Sequence, residues 1–437
     1  MFETIVALAT PPLKSALAVI RLSGDDCFNI VSKTFTKDLT KETKRGIHYG
    51  YIINNGVNID QVVLLLYVAP HSFTGENSIE IICHGSMVIA NEIIKLLISN
   101  GARMATNGEF SSRAYLNKKI DLVQAEAIND IINATTLEAK DLAMHSLDGE
   151  TSKVFLPIKI KIAELLSHIE VNIDYPEYED IEVVSREETI STCSSIINDI
   201  RTLIEDGEKS KILRDGINVA IVGKPNVGKS SLLNALLKEE KAIVTDIAGT
   251  TRDIVEGDFK LNGVTLHLLD TAGYHESNDK IEQIGINKTI KAVNDADLII
   301  YVLDETGLDK ELSSSINNKE IIYVYNKADQ ISNKKPGLLY ISALNNDYDN
   351  LLKEITKKLG LDQIKVKPSF SNTRQLGILR NMVNYLESAI NDANNNQPID
   401  IVSVNVMLAY NASLDLLGEG NKNDLTDEIF SRFCVGK

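Results

Sequence analysis

Nothing in the sequence leads to the expectation of a membrane span, a secretion signal, a zinc knuckle or a disulfide frame. No apolar run approaches the ~20 residues that cross a bilayer. The start, Met1-Phe2-Glu3-Thr4, has no basic segment followed by an apolar one, so no secretory signal is expected. The four cysteines, Cys27, Cys83, Cys193 and Cys434, are scattered with no CxxC pair. That spacing argues against a structural zinc site or a disulfide framework and predicts a reduced, cytoplasmic protein. Cations are also short: 45 Lys and Arg stand against 61 Asp and Glu, a formal net charge of −16. Such a chain is not a general nucleic-acid binder, because phosphate binding needs surplus cations, although a local basic face stays open. What is present is ordinary globular material, 437 residues with 43% hydrophobic and 24% charged side chains. That composition excludes a largely disordered chain, and the length suits about three domains.

The first ~115 residues read as mixed α/β. Thr4 to Leu8, Ala16 to Ile20, Val62 to Val68 and Ile79 to Cys83 are strand-like, and Met87 to Ser99 is apolar at helical spacing before Asn100-Gly101. From Leu122 to Gly216 the pattern is helical. Ser185 with Glu188 forms a capping box ahead of an apolar face of Ile190, Cys193, Ile196, Ile197, Ile200, Leu203 and Ile204. Pro157 and the acidic stretch Tyr175 to Asp180 are expected to break helices. From Asn218 to Leu359, strand runs alternate with helical segments: Val219 to Val222, Val264 to Leu269, Leu298 to Leu303, Ile321 to Tyr325 and Leu338 to Ile341. Alternation of this kind predicts a parallel, doubly wound sheet. Beyond Pro368 the chain is helical again, through Leu376, Leu379, Val383, Leu386 and Ile390. A helical domain interrupted by an inserted α/β domain is the economical arrangement.

Gly223-Lys224-Pro225-Asn226-Val227-Gly228-Lys229-Ser230 fits GxxxxGK[ST], between a strand and the helix-like run that starts at Ser231. The amides of such a loop and of the helix start point at phosphate oxygens. Lys229 would reach the β and γ phosphates, and the Ser230 hydroxyl would hold Mg²⁺. Asp270-Thr271-Ala272-Gly273 ends a strand, where a Mg²⁺-side carboxylate and a γ-phosphate-sensing Gly amide belong. Asn326-Lys327-Ala328-Asp329 follows another strand, and the Asp329 carboxylate can accept two N–H bonds from guanine, a donor pair that adenine lacks. Ser342-Ala343-Leu344 stands where a third base-contacting motif is expected, with Leu in place of Lys. The three motifs in this order resemble the translation-factor-related GTPases, which points to GTP rather than ATP.

In Ras-like enzymes a Gln after the DxxG glycine orients the attacking water. Tyr274 stands here and cannot do so. Asn226 sits where a side-chain carbonyl could help hold a monovalent cation such as K⁺, which would neutralise charge between the β and γ phosphates in the transition state. The alternative is that Asn226 only stabilises the turn. In the stretch Thr245-Asp246-Ile247-Ala248-Gly249-Thr250-Thr251-Arg252-Asp253, Thr251 is the Mg²⁺ candidate, and Thr245, Ile247 and Thr250 could give oxygens to the cation.

Asp246 to Asp253 resembles the corresponding stretch of the cation-dependent tRNA modification GTPase family MnmE (TrmE). So does Ile429-Phe430-Ser431-Arg432-Phe433-Cys434-Val435-Gly436-Lys437, with Val for Ile in that family's FCIGK ending. Ala9-Thr10-Pro11-Pro12, Ile20 to Gly24, Ser72 to Asn77, His84-Gly85, Gly108-Glu109-Phe110, Arg113 to Asn117 and Lys119 to Ala127 complete the likeness in the family's order. The resemblance implies a mixed α+β and α/β multidomain protein: an N-terminal folate-binding and dimerisation domain (1–118), a helical domain in two halves (119–215 and 363–437), and an inserted P-loop GTPase domain (216–362). It implies that Arg21, Glu80, Lys119 and Lys437 contact a 5-formyltetrahydrofolate-type donor, and that Glu282 aligns the attacking water. It also implies a homodimer that works with an FAD-dependent partner of the MnmG (GidA) type on C5 of the tRNA wobble uridine. Two rivals stand beside it: a ribosome-assembly GTPase of the Der or Era kind, and a switch whose first domain only dimerises.

Overall fold

The computed structural model describes residues 3–174, 186–238, 255–269, 291–304, 319–331, 334–420 and 428–436. The chain divides into two compact units. One comprises Met1–Asn129, Leu147–Ser194 and Asn381–Lys437, the other Asp130–Ser146 and Ser195–Arg380.

The first unit contains a six-stranded sheet. Its strands are β1 (Ile5–Leu8), β2 (Leu17–Ser23), β3 (Gly46–Asn54), β4 (Val57–Tyr67), β5 (Ser78–His84) and β6 (Arg103–Met104), in the spatial order β3-β4-β5-β2-β1-β6. Only the short β1–β6 pair is parallel. One face is buried under α1 (Cys27–Ser32) and α2 (Met87–Ser99). There Ala18, Ile20, Leu22, Leu64, Leu66, Ile79 and Ile81 pack with Val31, Ile93 and Leu97. Side chains alternate across a strand, so the intervening residues make the other face. Two rungs cross it, Tyr49–Val63–Ile82–Val19 and Ile47–Leu65–Glu80–Arg21. Ile47 and Tyr49 are 73% and 69% exposed, so the β3 end of this face is apolar and open, while Arg21 and Glu80 pair at the other end. Strand β3 was not expected. Its signal is the Asn55-Gly56 turn, with φ of 49° and 82°, the backbone that a tight hairpin needs.

Helix α3 spans Glu109–Leu116, and the helical stretch that follows holds α4 (Leu122–Asn133), α5 (Leu137–Leu147), α6 (Glu150–Asp174) and α7 (Arg186–Asp215). Pro157 does not break a helix, against expectation. It lies inside α6 and is exposed, while Phe155, Ile158, Ile162, Leu165, Leu166 and Ile169 keep one buried stripe running past it. The tertiary packing of that stripe outweighs the lost main-chain bond. Ser185 of the expected capping box and the stretch Tyr175 to Asp180 lie outside the described residues.

The second unit holds β7 (Ile217–Val222), α8 (Lys229–Lys238), β8 (Val255–Leu261), β9 (Val264–Leu269), β10 (Leu298–Leu303), β11 (Glu320–Tyr325), β12 (Leu339–Tyr340) and α9 (Asp349–Lys358). The strand order is β12-β11-β10-β7-β9-β8, with every pair parallel except β8–β9. Val219 and Ile221 enter one apolar cluster and Ala220 and Val222 another. Burial on both faces is why these strands read as continuous apolar runs. Helix α10 (Thr373–Asn394) and α11 (Ile399–Leu417) follow. Among the described residues α11 is one helix long and apolar enough to cross a membrane, against the expectation from the bare sequence. Its buried side chains, including Val402, Val406, Ala409 and Leu416, lie on a helix that packs on α6.

All four cysteines are free thiols. Burial pushes Cys83 up to about 11 and Cys193 up to about 12, and raises Cys27 further, so these three are packing groups. Cys434 is exposed.

Candidate nucleotide-binding site

Strand β7 ends at Val222, and the chain turns through Gly223 to Gly228 before α8 begins at Lys229. Two glycines are fixed by space as well as by φ. A Cβ on Gly223 (φ +148°) would lie 2.2 Å from the Val302 carbonyl oxygen, and one on Gly228 (φ +96°) 2.2 Å from Asn326 Nδ2. Asn226 also takes a left-handed φ of 64°, which Asn tolerates better than most side chains. Lys229 Nζ donates to the carbonyls of Gly223 and Lys224, both at 2.9 Å, and so lies across the loop. Burial pulls its pKa down, and a cation short of water gains from a phosphate partner. Val227 is buried, whereas Ser230 and Ser231 are exposed at the start of α8. Helix start, loop amides, Lys229 and Ser230 together suit a Mg²⁺-bound polyphosphate.

The residues expected to read the base are built onto this loop. Asn326, 4% exposed, donates from Nδ2 to the Val227 carbonyl at 3.0 Å, and its Oδ1 accepts from the Ala343 amide at 3.1 Å. Lys327, at φ 60°, donates from Nζ to the Asn226 carbonyl at 2.7 Å. Ser342 Oγ donates to Asp329 Oδ1 at 2.6 Å and holds the Asp329 carboxyl below the usual carboxylate range. Asp329 is therefore an ionised, exposed, oriented acceptor. The sequence marked all of these positions, but it did not show that Asn326 braces the phosphate loop.

A second cluster lies in the first unit. Arg21 donates to Glu80 Oε1 from Nε at 3.0 Å and from Nη2 at 2.8 Å, and from Nη1 to the Gly436 carbonyl at 3.1 Å. Its guanidinium carbon stands 5.9 Å from the Phe73 ring centre and 5.7 Å from that of Phe110. Arg21 and Glu80 thus form one ion pair and would meet a ligand at one place. Lys119 Nζ donates to the Pro70 carbonyl at 3.0 Å, in the same β4–β5 connection as Phe73. Phe73, Phe110 and Gly436 lie inside motifs visible in the sequence, but only the fold puts them around Arg21.

Several expected site residues lie outside the described residues: Thr245, Asp246, Ile247, Ala248, Gly249, Thr250, Thr251, Asp270, Thr271, Ala272, Gly273, Glu282 and Lys437.

Residues 4–119 match the family described as GTP-binding protein TrmE N-terminus, and residues 122–434 match the MnmE helical domain. The chain is 38% identical over 458 residues to the tRNA modification GTPase MnmE of Ligilactobacillus salivarius, covering 100% of this chain and 98% of that protein. It is 41% identical over 446 residues to the MnmE of Acholeplasma laidlawii, covering 100% of both. The chain belongs to the MnmE family of tRNA modification GTPases. It is a GTP hydrolase of mixed α/β, multidomain architecture. Among solved structures, Era of Aquifex aeolicus bound to GDP and aluminium fluoride is 28% identical, covering 39% of this chain and 66% of that chain with a TM-score of 0.27.

Proposed function

We propose that this MnmE-family chain hydrolyses GTP in a K⁺-stimulated reaction and uses the resulting cycle to modify C5 of the tRNA wobble uridine. One observation carries the nucleotide reading: Asn326 ties the phosphate loop to the turn whose Ser342 orients Asp329, so phosphate and guanine recognition share one scaffold. In this reading Lys229 meets the β and γ phosphates, and Ser230 and Thr251 hold Mg²⁺ with Asp270 on the metal side. Asn226, Thr245, Ile247 and Thr250 hold K⁺, and Glu282 aligns water. Bound K⁺ and Mg²⁺ supply charge neutralisation, while the chain's own residues orient the phosphates.

The folate side follows from the second cluster. Arg21, Glu80, Lys119 and Lys437 would take a 5-formyltetrahydrofolate-type donor, with Phe73 and Phe110 flanking the guanidinium. The open apolar face of the first sheet supports a homodimer. The partner would be an FAD-dependent protein of the MnmG type, with tRNA as shared substrate in the cytoplasm. The division into residues 1–118, 119–215, 216–362 and 363–437 belongs to the same proposal.

Asp329→Asn tests the nucleotide reading. Replacing the carboxylate by an amide removes one of two charge-assisted acceptors and faces guanine with a donor, so GTP affinity should fall about 100-fold. Binding of the xanthine nucleotide, which offers an acceptor at that position, should rise. Unchanged GTP affinity in this variant would remove Asp329 from base recognition.

A further inference from the structure

The β8–β9 hairpin occupies a particular place in the chain. Strand β8 starts at Val255, two residues after Asp253 closes the stretch that holds Thr251. Strand β9 ends at Leu269, one residue before Asp270. The two strands are paired from Val255↔Leu269 to Leu261↔Val264, with a register irregularity between Val255 and Gly257 and a continuous ladder from Gly257 on, and Asn262 and Gly263 turn between them with φ of 49° and 80°.

The turn end of this hairpin is seated on helical residues. Thr265 Oγ1 and Thr135 Oγ1 are 2.7 Å apart, in the connection between α4 and α5. A Cβ on Gly263 would lie 2.4 Å from Glu138 Cδ, so the Glu138 side chain rests directly against the turn. Asn262 Nδ2 donates to Asp362 Oδ1 at 3.1 Å and to Thr356 Oγ1 at 3.3 Å. The His267 ring bridges Asp258 Oδ1 at 2.7 Å and the Asp215 carbonyl at 3.1 Å, where α7 ends. Arg214 Nη2 donates to Asp130 at 2.8 Å and joins that end to α4. Leu142 of α5 shares one apolar cluster with Phe259, Val264, Leu266 and Leu268 of the hairpin. Residues 130–146, though helical, thus belong to the same compact unit as the phosphate-loop sheet.

A paired hairpin is stiff along its length. From Leu269 to Thr265 is about 13 Å at ~3.3 Å per residue. A shift imposed at the Asp270 end would be carried along β9, which is paired on both sides, toward this seat. We propose that the β8–β9 hairpin is a lever that reports nucleotide state to residues 130–146, with Thr135, Glu138 and Thr265 as its seat. The proposal rests on the reading of Thr251 and Asp270 as γ-phosphate-side residues. It gives the coupling a defined element, as a claim of communication between sites requires.

The test is amide hydrogen exchange of the full chain, saturated with GDP or with a non-hydrolysable GTP analogue, with nucleotide binding measured on the same samples. Peptides from 133–146 should exchange differently in the two states. Thr265→Val and, separately, Thr135→Ala remove the hydroxyl pair. Both variants should bind both nucleotides as the unsubstituted chain does, yet lose the difference at 133–146. Equal exchange in the two saturated states, or an undiminished difference in both variants, would overturn the lever. Failure of the unsubstituted chain to bind either nucleotide would overturn the phosphate-site reading along with it, and the binding measurement separates the two.

Discussion

Asn326 and Glu109 illustrate what single side chains do in this molecule. Asn326 is the joint of the candidate nucleotide site, and its buried bonds to Val227 and Ala343 explain why position 228 must be glycine. The sequence placed Asn326 in the nucleotide-binding motif because a motif spacing is legible. Its bracing role was not, because it depends on a contact 99 residues away in the chain. Glu109 is the electrostatic counterpart in the first unit. Burial alone would raise its pKa from 4.5, but hydrogen bonds from Arg103, the Thr106 amide and Arg113 hold it at about 2. A depressed carboxyl stabilises the fold above its unfolded value and loses that contribution as pH falls toward the folded one. Glu109→Gln should therefore cost about 1–2 kcal/mol near neutral pH, after discounting for solvent screening. The gap to the unsubstituted chain should close between pH 4.5 and 2, read from urea midpoints across that range. A gap independent of pH would show that Glu109 acts through packing.

At the scale of elements, long periodic segments were the legible part. The Met87 to Ser99 helix and the buried parallel strands match because each repeats one apolar spacing along its whole length. Two hairpin strands, β3 and β8, were missed although Asn-Gly turns follow both, at Asn55-Gly56 and Asn262-Gly263. β3 keeps an exposed row with Ile47 and Tyr49, so its pattern resembles neither a buried strand nor a polar surface strand. Pro157 misled in the opposite direction, because a local rule gave way to a stripe of core contacts. A proline inside a helix still removes one main-chain bond. Pro157→Ala should stabilise the chain by about 1–3 kcal/mol, seen as a higher urea midpoint. A lower midpoint would mean that the Pro157 ring contributes more to α6 than the main-chain bond it removes.

For the whole molecule, two features call for partners. The rungs around Tyr49 and Val63 leave an apolar face open on the first sheet, and a second copy is the proposed cover. Tyr49→Asp should then turn a dimer into a monomer by light scattering at unchanged secondary structure, whereas equal mass in both proteins would place the dimer contact elsewhere. The second feature is the phosphate loop, where Asn226 takes a left-handed backbone and leaves its side chain exposed, and a cation is its proposed partner. The central claim is cation-assisted hydrolysis of GTP, and its most direct test is GTP turnover of the purified chain in K⁺ against matched Na⁺. The account predicts a large stimulation by K⁺ that disappears in Asn226→Ala. Equal, slow turnover in both salts would contradict it and leave a switch driven by a partner.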